Sequence, residues 1–124
     1  MVLKPNMVIA GQNAPTQASA EEVAEQTVAC LKATVPVAVP GIAFLSGGQS
    51  DEQASQNLSL INQIGGKPWA LTFSYGRALQ QAALKAWLGR AENVPAAQAA
   101  FTHRARMNAL ATGAGWKPEL EQAA

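Results

Sequence analysis

Gly41-Ile42-Ala43-Phe44-Leu45-Ser46-Gly47-Gly48 and Trp69-Ala70-Leu71-Thr72-Phe73-Ser74-Tyr75-Gly76-Arg77 are the two stretches on which the fold turns. Each is a short apolar run closed by serine and glycine. An apolar run of that length, bounded by turn residues, reads as a strand. The residues after each run read as helix. After Ser50, Asp51 and Glu52 supply first-turn acids, and Ala54, Leu58, Ile61 and Ile64 recur at helical spacing. Gly65-Gly66-Lys67-Pro68 ends that helix. Beyond Arg77, residues 78–88 place Leu79, Ala83 and Trp87 on one face.

The same alternation continues outward in both directions. Ser19 offers an N-cap with Glu22 three positions later, a capping-box pattern. Ala20, Val23, Ala24, Thr27, Val28 and Leu31 then predict a helix over 20–33. A short strand precedes it, ending near Lys4 because Pro5 lacks the N–H a paired strand needs. Toward the carboxyl end, Asn93 is placed to cap a fourth helix and Pro95 is tolerated in its first turn. Ala97, Phe101 and Ala105 are its expected buried stripe. From Thr112 onward, Gly, Trp and Pro succeeded by a polar end read as a flexible tail. Residues 1–111 therefore form the folded part and 112–124 the tail.

Short strands alternating with helices predict an α/β fold with parallel strands and right-handed crossovers. Three strands make a marginal sheet with two open edges. The chain has 124 residues, against about 250 for a complete eight-stranded barrel. The expected architecture is the carboxy-terminal part of a TIM (β/α)8 barrel. A small complete α/β sandwich is the alternative.

In a barrel, active sites gather at the carboxyl ends of the strands, and phosphate often binds between the last two strand-end loops. Gly47 and Gly48 let backbone N–H groups converge on an anion, and Gly76 offers the same. Ser46, Ser74 and Tyr75 add hydroxyls, and Arg77 adds a planar cationic fork suited to phosphate oxygens. The plainer reading is that these glycines serve tight strand-to-helix turns. Two such loops, one with an arginine, favour the phosphate site.

Lys4 is the reactive candidate. Among Val2, Leu3 and Met7 it is expected to be partly desolvated, which would expose a neutral amine for attack on a carbonyl. Spacing alone also fits a solvated loop lysine. Trp69 and Trp87 read as structural. His103, beside Arg104 and Arg106, has no second ligand at metal spacing and reads as a surface or interface histidine. Asp51 and Glu52 read as helix-start charges, not a catalytic dyad.

Composition narrows the classes further. Net charge is +1 with 14% charged residues, and no Lys/Arg run gives nucleic acid an electrostatic footprint. Cys30 is the only cysteine, which excludes an internal disulfide and fits a reducing, cytoplasmic setting. No signal-peptide core and no apolar run of membrane length is present.

Several strings together resemble class I fructose-bisphosphate aldolase. They are Leu3-Lys4-Pro5-Asn6-Met7-Val8, Pro40 through Ser50, Pro68 through Gln80, Ala83-Leu84-Lys85-Ala86-Trp87 and Glu92-Asn93-Val94. The resemblance runs over residues 2–111. It implies a barrel whose sixth strand carries Lys4 as the imine-forming lysine. It implies that Ser46, Gly47 and Gly48 bind the ketose-side phosphate from the seventh strand end. Gly76 and Arg77 would contribute from the eighth, with Ser74 and Tyr75 beside them. The implied reaction is cleavage of fructose 1,6-bisphosphate to dihydroxyacetone phosphate and glyceraldehyde 3-phosphate, with no metal and no other cofactor. Partners would be a phosphorylated ketose, the remainder of the barrel in the same or another chain, and further copies in a homo-oligomer. The family's early aspartate, its two further active-site lysines and its paired glutamates have no counterpart in this sequence. Nor does the terminal tyrosine of many relatives, since the chain ends Glu121-Gln122-Ala123-Ala124. An isolated chain is thus expected to lack full turnover, and a catalytically silent phosphate-binding or structural module is the alternative.

Overall fold

The computed structural model describes residues 1–122. Three parallel strands form one sheet in the order β1-β2-β3: β1 (Val2–Leu3), β2 (Gly41–Phe44) and β3 (Ala70–Phe73). Helix α1 (Ala20–Thr34) joins β1 to β2, and α2 (Asp51–Gln63) joins β2 to β3. The chain continues through helix α3 (Arg77–Trp87), a 3-10 turn at Ala91–Asn93, α4 (Val94–Thr112) and α5 (Pro118–Glu121).

Serines cap both α1 and α2, one expected and one not. Ser19 Oγ accepts from the Glu22 amide, which is half of a capping box. The reciprocal box forms at Ser50, whose Oγ accepts from the Gln53 amide while Gln53 Oε1 accepts from the Ser50 amide. That satisfies two of the orphan donors at the start of α2.

Register places Leu3, Ile42 and Leu71 in one row and Val2, Gly41 and Ala70 in the next. Rows alternate between the two faces of a sheet. The first row, with Phe44, belongs to a core shared with Val23, Val28, Leu58 and Ile61 of the helices. The second row is open: Val2 and Ala70 are exposed. One face of the sheet is covered; the other is partly open, with Thr72 on it bonded to Thr112 at 3.3 Å. Trp69 is structural as expected, its buried indole donating to the Pro36 carbonyl at 3.0 Å. Trp87 is not: it is 43% exposed.

Helix α4 departs from its sequence reading. Phe101 is 41% exposed, and the buried residues are Arg104, Met107, Asn108 and Ala111. The reason is a polar seam with α2. Arg104 Nη2 donates to Ser55 Oγ at 2.7 Å, Ser55 Oγ donates to Asn108 Oδ1 at 2.7 Å, and Asn108 Nδ2 donates back to the Arg104 carbonyl at 3.0 Å. A hydrophobic-period search passes over a buried face built from Arg, Asn and Ser. Asn93 makes no capping bond with its side chain, which donates instead to the Trp87 carbonyl.

The segment read as a flexible tail packs on the domain as far as it is described. Thr112 still belongs to α4, Trp116 is buried, and Leu120 packs against the core. Trp116 supplies the apolar area and Glu121 the polar anchor, and neither belongs to a periodic pattern within the tail. Ala123 and Ala124, the end of that expected tail, lie outside the described residues.

Candidate functional site

The loop after β2 is a tight turn. The Gln49 amide donates to the Ser46 carbonyl at 2.9 Å, with Gly47 at φ +30° and Gly48 at φ +83° between them. Both angles lie where a side chain is strained. A Cβ on Gly47 would lie 2.5 Å from Asn6 Oδ1, whereas one on Gly48 would meet nothing within 4 Å. The loop after β1 therefore presses directly on the turn, and the Leu45 amide donating to the Pro5 carbonyl at 2.9 Å holds it there. Gly47→Ala is expected to cost roughly 2–4 kcal/mol and Gly48→Ala only about 1–2 kcal/mol, the backbone part alone. Urea denaturation of the two variants checks the difference.

The loop after β3 supplies less than its sequence offered. The Ser74 amide continues the sheet by donating to the Phe44 carbonyl, and Ser74 itself is exposed. Tyr75 points inward: it is 5% exposed and its hydroxyl donates to the Ala54 carbonyl at 2.9 Å. Burial pushes the phenol well above its ordinary range. Its side chain is thus committed to the core and is removed as a contact to a ligand. Gly76 precedes α3 with open space around it, and Arg77 is the exposed first residue of that helix.

Gly47, Gly48 and Arg77 line one open cleft of about 700 Å³, together with Asn6, Gln49 and Gln81. No lining residue is acidic. Glycine amides, an arginine and side-chain amides around an acid-free cleft suit an anion bearing hydroxyls. Ser46 is buried at the start of the turn, Ser74 and Gly76 follow β3, and none of the three lines the cleft. The amides of Asn6, Gln49 and Gln81 carried no signal of their own in the sequence. For Asn6 a clue was at hand, since it stands two residues from Lys4 in the loop at the same end of the sheet.

Lys4 lies one residue beyond β1 and does not line the cleft. It is exposed, so the partial desolvation expected from its apolar neighbours is not present in this chain.

A second cluster of charged groups lies on α4 and α5. The Glu121 carboxylate accepts from Arg104 Nη1, from His103 Nε2 at 3.1 Å and from Trp116 Nε1 at 2.7 Å. Burial by itself raises its pKa. Hydrogen bonds from Arg104 and Trp116, the Arg104 charge and the His103 bond outweigh that and hold the group below its usual range. His103, read as a surface or interface histidine, is tied to this cluster. Among the described residues no group of three His, Cys, Asp or Glu is arranged to hold a metal, and no helix is long and apolar enough to cross a membrane.

The family model "Fructose-bisphosphate aldolase class-I" matches residues 1–124. Cytosolic fructose-bisphosphate aldolase 4 of Arabidopsis thaliana is 54% identical over 97% of this chain and 31% of its own length. Cytoplasmic isozyme 2 of Pisum sativum is 61% identical over 90% of this chain and 31% of its own. The solved aldolase of Plasmodium falciparum, in complex with TRAP and a small-molecule inhibitor, superposes with a TM-score of 0.90. It has 52% identity over 94% of this chain and 33% of that one. The chain thus spans about a third of the length of these relatives. By its sequence and its three-stranded α/β frame, it belongs to the class I fructose-bisphosphate aldolase family.

Proposed function

We propose that this chain is the carboxy-terminal, phosphate-holding part of a class I fructose-bisphosphate aldolase barrel, with β1, β2 and β3 as its sixth, seventh and eighth strands. The observation that carries the reading is the cleft shared by the Gly47-Gly48 turn and Arg77. The partly open sheet face, Val2 and Ala70 included, is what the interior of a closed barrel would use. The remainder of the barrel, in the same or another chain, would also cover Lys4.

In this reading the ketose-side phosphate of fructose 1,6-bisphosphate sits on the Gly47-Gly48 amides and Arg77, with Ser46, Ser74 and Gly76 shaping the strand ends. The Lys4 amine attacks the ketone carbon, and loss of water leaves a protonated imine. That cation accepts the electron pair as the carbon–carbon bond breaks, releasing glyceraldehyde 3-phosphate. Protonation of the enamine and hydrolysis release dihydroxyacetone phosphate and restore the lysine. No metal is required for these steps. The proton-transfer carboxylates would come from the remaining strands, so the isolated chain lacks full turnover. The cytosolic relatives support a cytoplasmic setting for a homo-oligomeric enzyme of glycolysis and gluconeogenesis.

Titration of the chain with inorganic phosphate tests the cleft. Arg77→Ala is expected to weaken binding about tenfold to a hundredfold, the loss of a charge-assisted contact. Equal affinity in the variant would remove Arg77 from the site. A second reading, a phosphate-binding module without catalysis, is favoured by one observation: Lys4 is exposed and outside the cleft.

A further inference from the structure

Asn57 is a polar residue on α2 that is only 5% exposed. Buried polar groups need partners, and Asn57 finds its partner outside its own helix. Its Nδ2 donates to Gln49 Oε1 at 2.7 Å. Gln49 is the residue whose backbone amide closes the turn on the Ser46 carbonyl. Gln49 also lines the cleft beside Gly48. With its oxygen committed to Asn57, its remaining group is Nε2, which has no hydrogen-bond partner and is shut off from solvent.

We propose that Asn57 is a positioning residue for the anion cleft, acting through Gln49. The inference rests on the reading of the cleft as a phosphate site. The turn is held at one end by the Asn6 side chain against Gly47 and at the other by Asn57 on Gln49. Between these holds, two residues at positive φ keep their amides in one arrangement. By taking the amide oxygen of Gln49, Asn57 ties the residue whose backbone closes the turn to α2. The capping box at Ser50 and Gln53 fixes the start of α2 between the two residues, so the tether is anchored to a rigid turn of helix.

The test is a double-mutant cycle on inorganic phosphate affinity, monitored in the full chain through the NMR shifts of the Gly47 and Gly48 amides. Asn57→Ala and Gln49→Met are each expected to weaken phosphate about tenfold, and the double variant no more than either single one, because both break the same link. Effects that multiply, or an Asn57→Ala variant that binds as the parent does, overturn the proposal. Should Asn57→Ala not fold, Gln49→Met decides alone: it keeps side-chain length, loses the acceptor, and unchanged affinity overturns the proposal. If the parent chain itself shows no response of these glycine amides to phosphate while Arg77→Ala is equally silent, the phosphate reading falls, and this inference with it.

Discussion

Lys4→Arg, placed in a chain that carries the rest of the barrel, is expected to eliminate the borohydride-trapped adduct with dihydroxyacetone phosphate. Cleavage of fructose 1,6-bisphosphate should fall on the order of 10⁴-fold or more, as it does when a covalent nucleophile is lost. Arginine retains the positive charge but stays protonated, so it cannot form the imine. A change that acted only through charge would leave activity nearly intact. Mass mapping of the trapped parent protein should place the adduct on Lys4. An adduct that persists in the variant, or forms elsewhere, would sink the assignment. Lys4 is exposed in this chain, and the surroundings that would shield it from water belong to the proposed remainder of the barrel. Trapping with the missing part absent should therefore be slow even with Lys4 in place.

The largest effect on stability is expected at Arg104. Its side chain is 5% exposed and that of Glu121 is 7% exposed. Arg104 also reaches Ser55 Oγ and the Asp51 carbonyl. Arg104→Met leaves the buried Glu121 carboxylate with only His103 and Trp116 as donors and takes a donor from Ser55 Oγ and the Asp51 carbonyl. Removing one partner of a buried pair costs about 3–5 kcal/mol, a large share of the roughly 5–15 kcal/mol typical of a domain. Urea denaturation would measure it; a loss under about 1 kcal/mol would show the pair to be dispensable. The same cluster has a pH signature. Glu121 is held below its ordinary 4.5 by its partners, so the folded form binds fewer protons than the unfolded one. Its contribution is complete above the ordinary carboxylate range and is lost as pH falls through the lower, folded value. Trp116, bonded to the same carboxylate, should change its fluorescence in that acid window, and Glu121→Gln should abolish the change.

The strands and helix starts were legible because their chemistry is local. Ser50 with Asp51, Glu52 and Gln53 after it announces a helix wherever it falls, and both apolar runs found their places as β2 and β3. The glycines of the first loop were legible for the same reason: a turn at positive φ selects glycine regardless of what surrounds it. The features that escaped depended on distant partners. Arg104 and Asn108 are buried because Ser55 lies opposite, 53 residues from Asn108 in sequence. Tyr75 turns inward to a partner on α2, the Ala54 carbonyl. Trp116 and Glu121 dock the carboxyl segment through bonds that no periodicity encodes. Gln49 and Asn57 have neutral side chains without a motif, and only their meeting across a turn makes them conspicuous.

The two edges of the sheet are unlike. On the β3 side, Asn62 Nδ2 donates to the Leu71 carbonyl at 3.3 Å, so a side chain stands in for a missing neighbour. The β1 side has no such cover among the described residues, and Val2 stands 63% exposed there. An uncovered strand is a template on which a second chain can add, and charge at the edge is what discourages it. Lys4 is the charge at that edge. The residue proposed for covalent chemistry is thus also the charge that would discourage edge-to-edge pairing of two isolated copies. In the isolated chain, arginine at this position would keep that guard, whereas alanine would remove it.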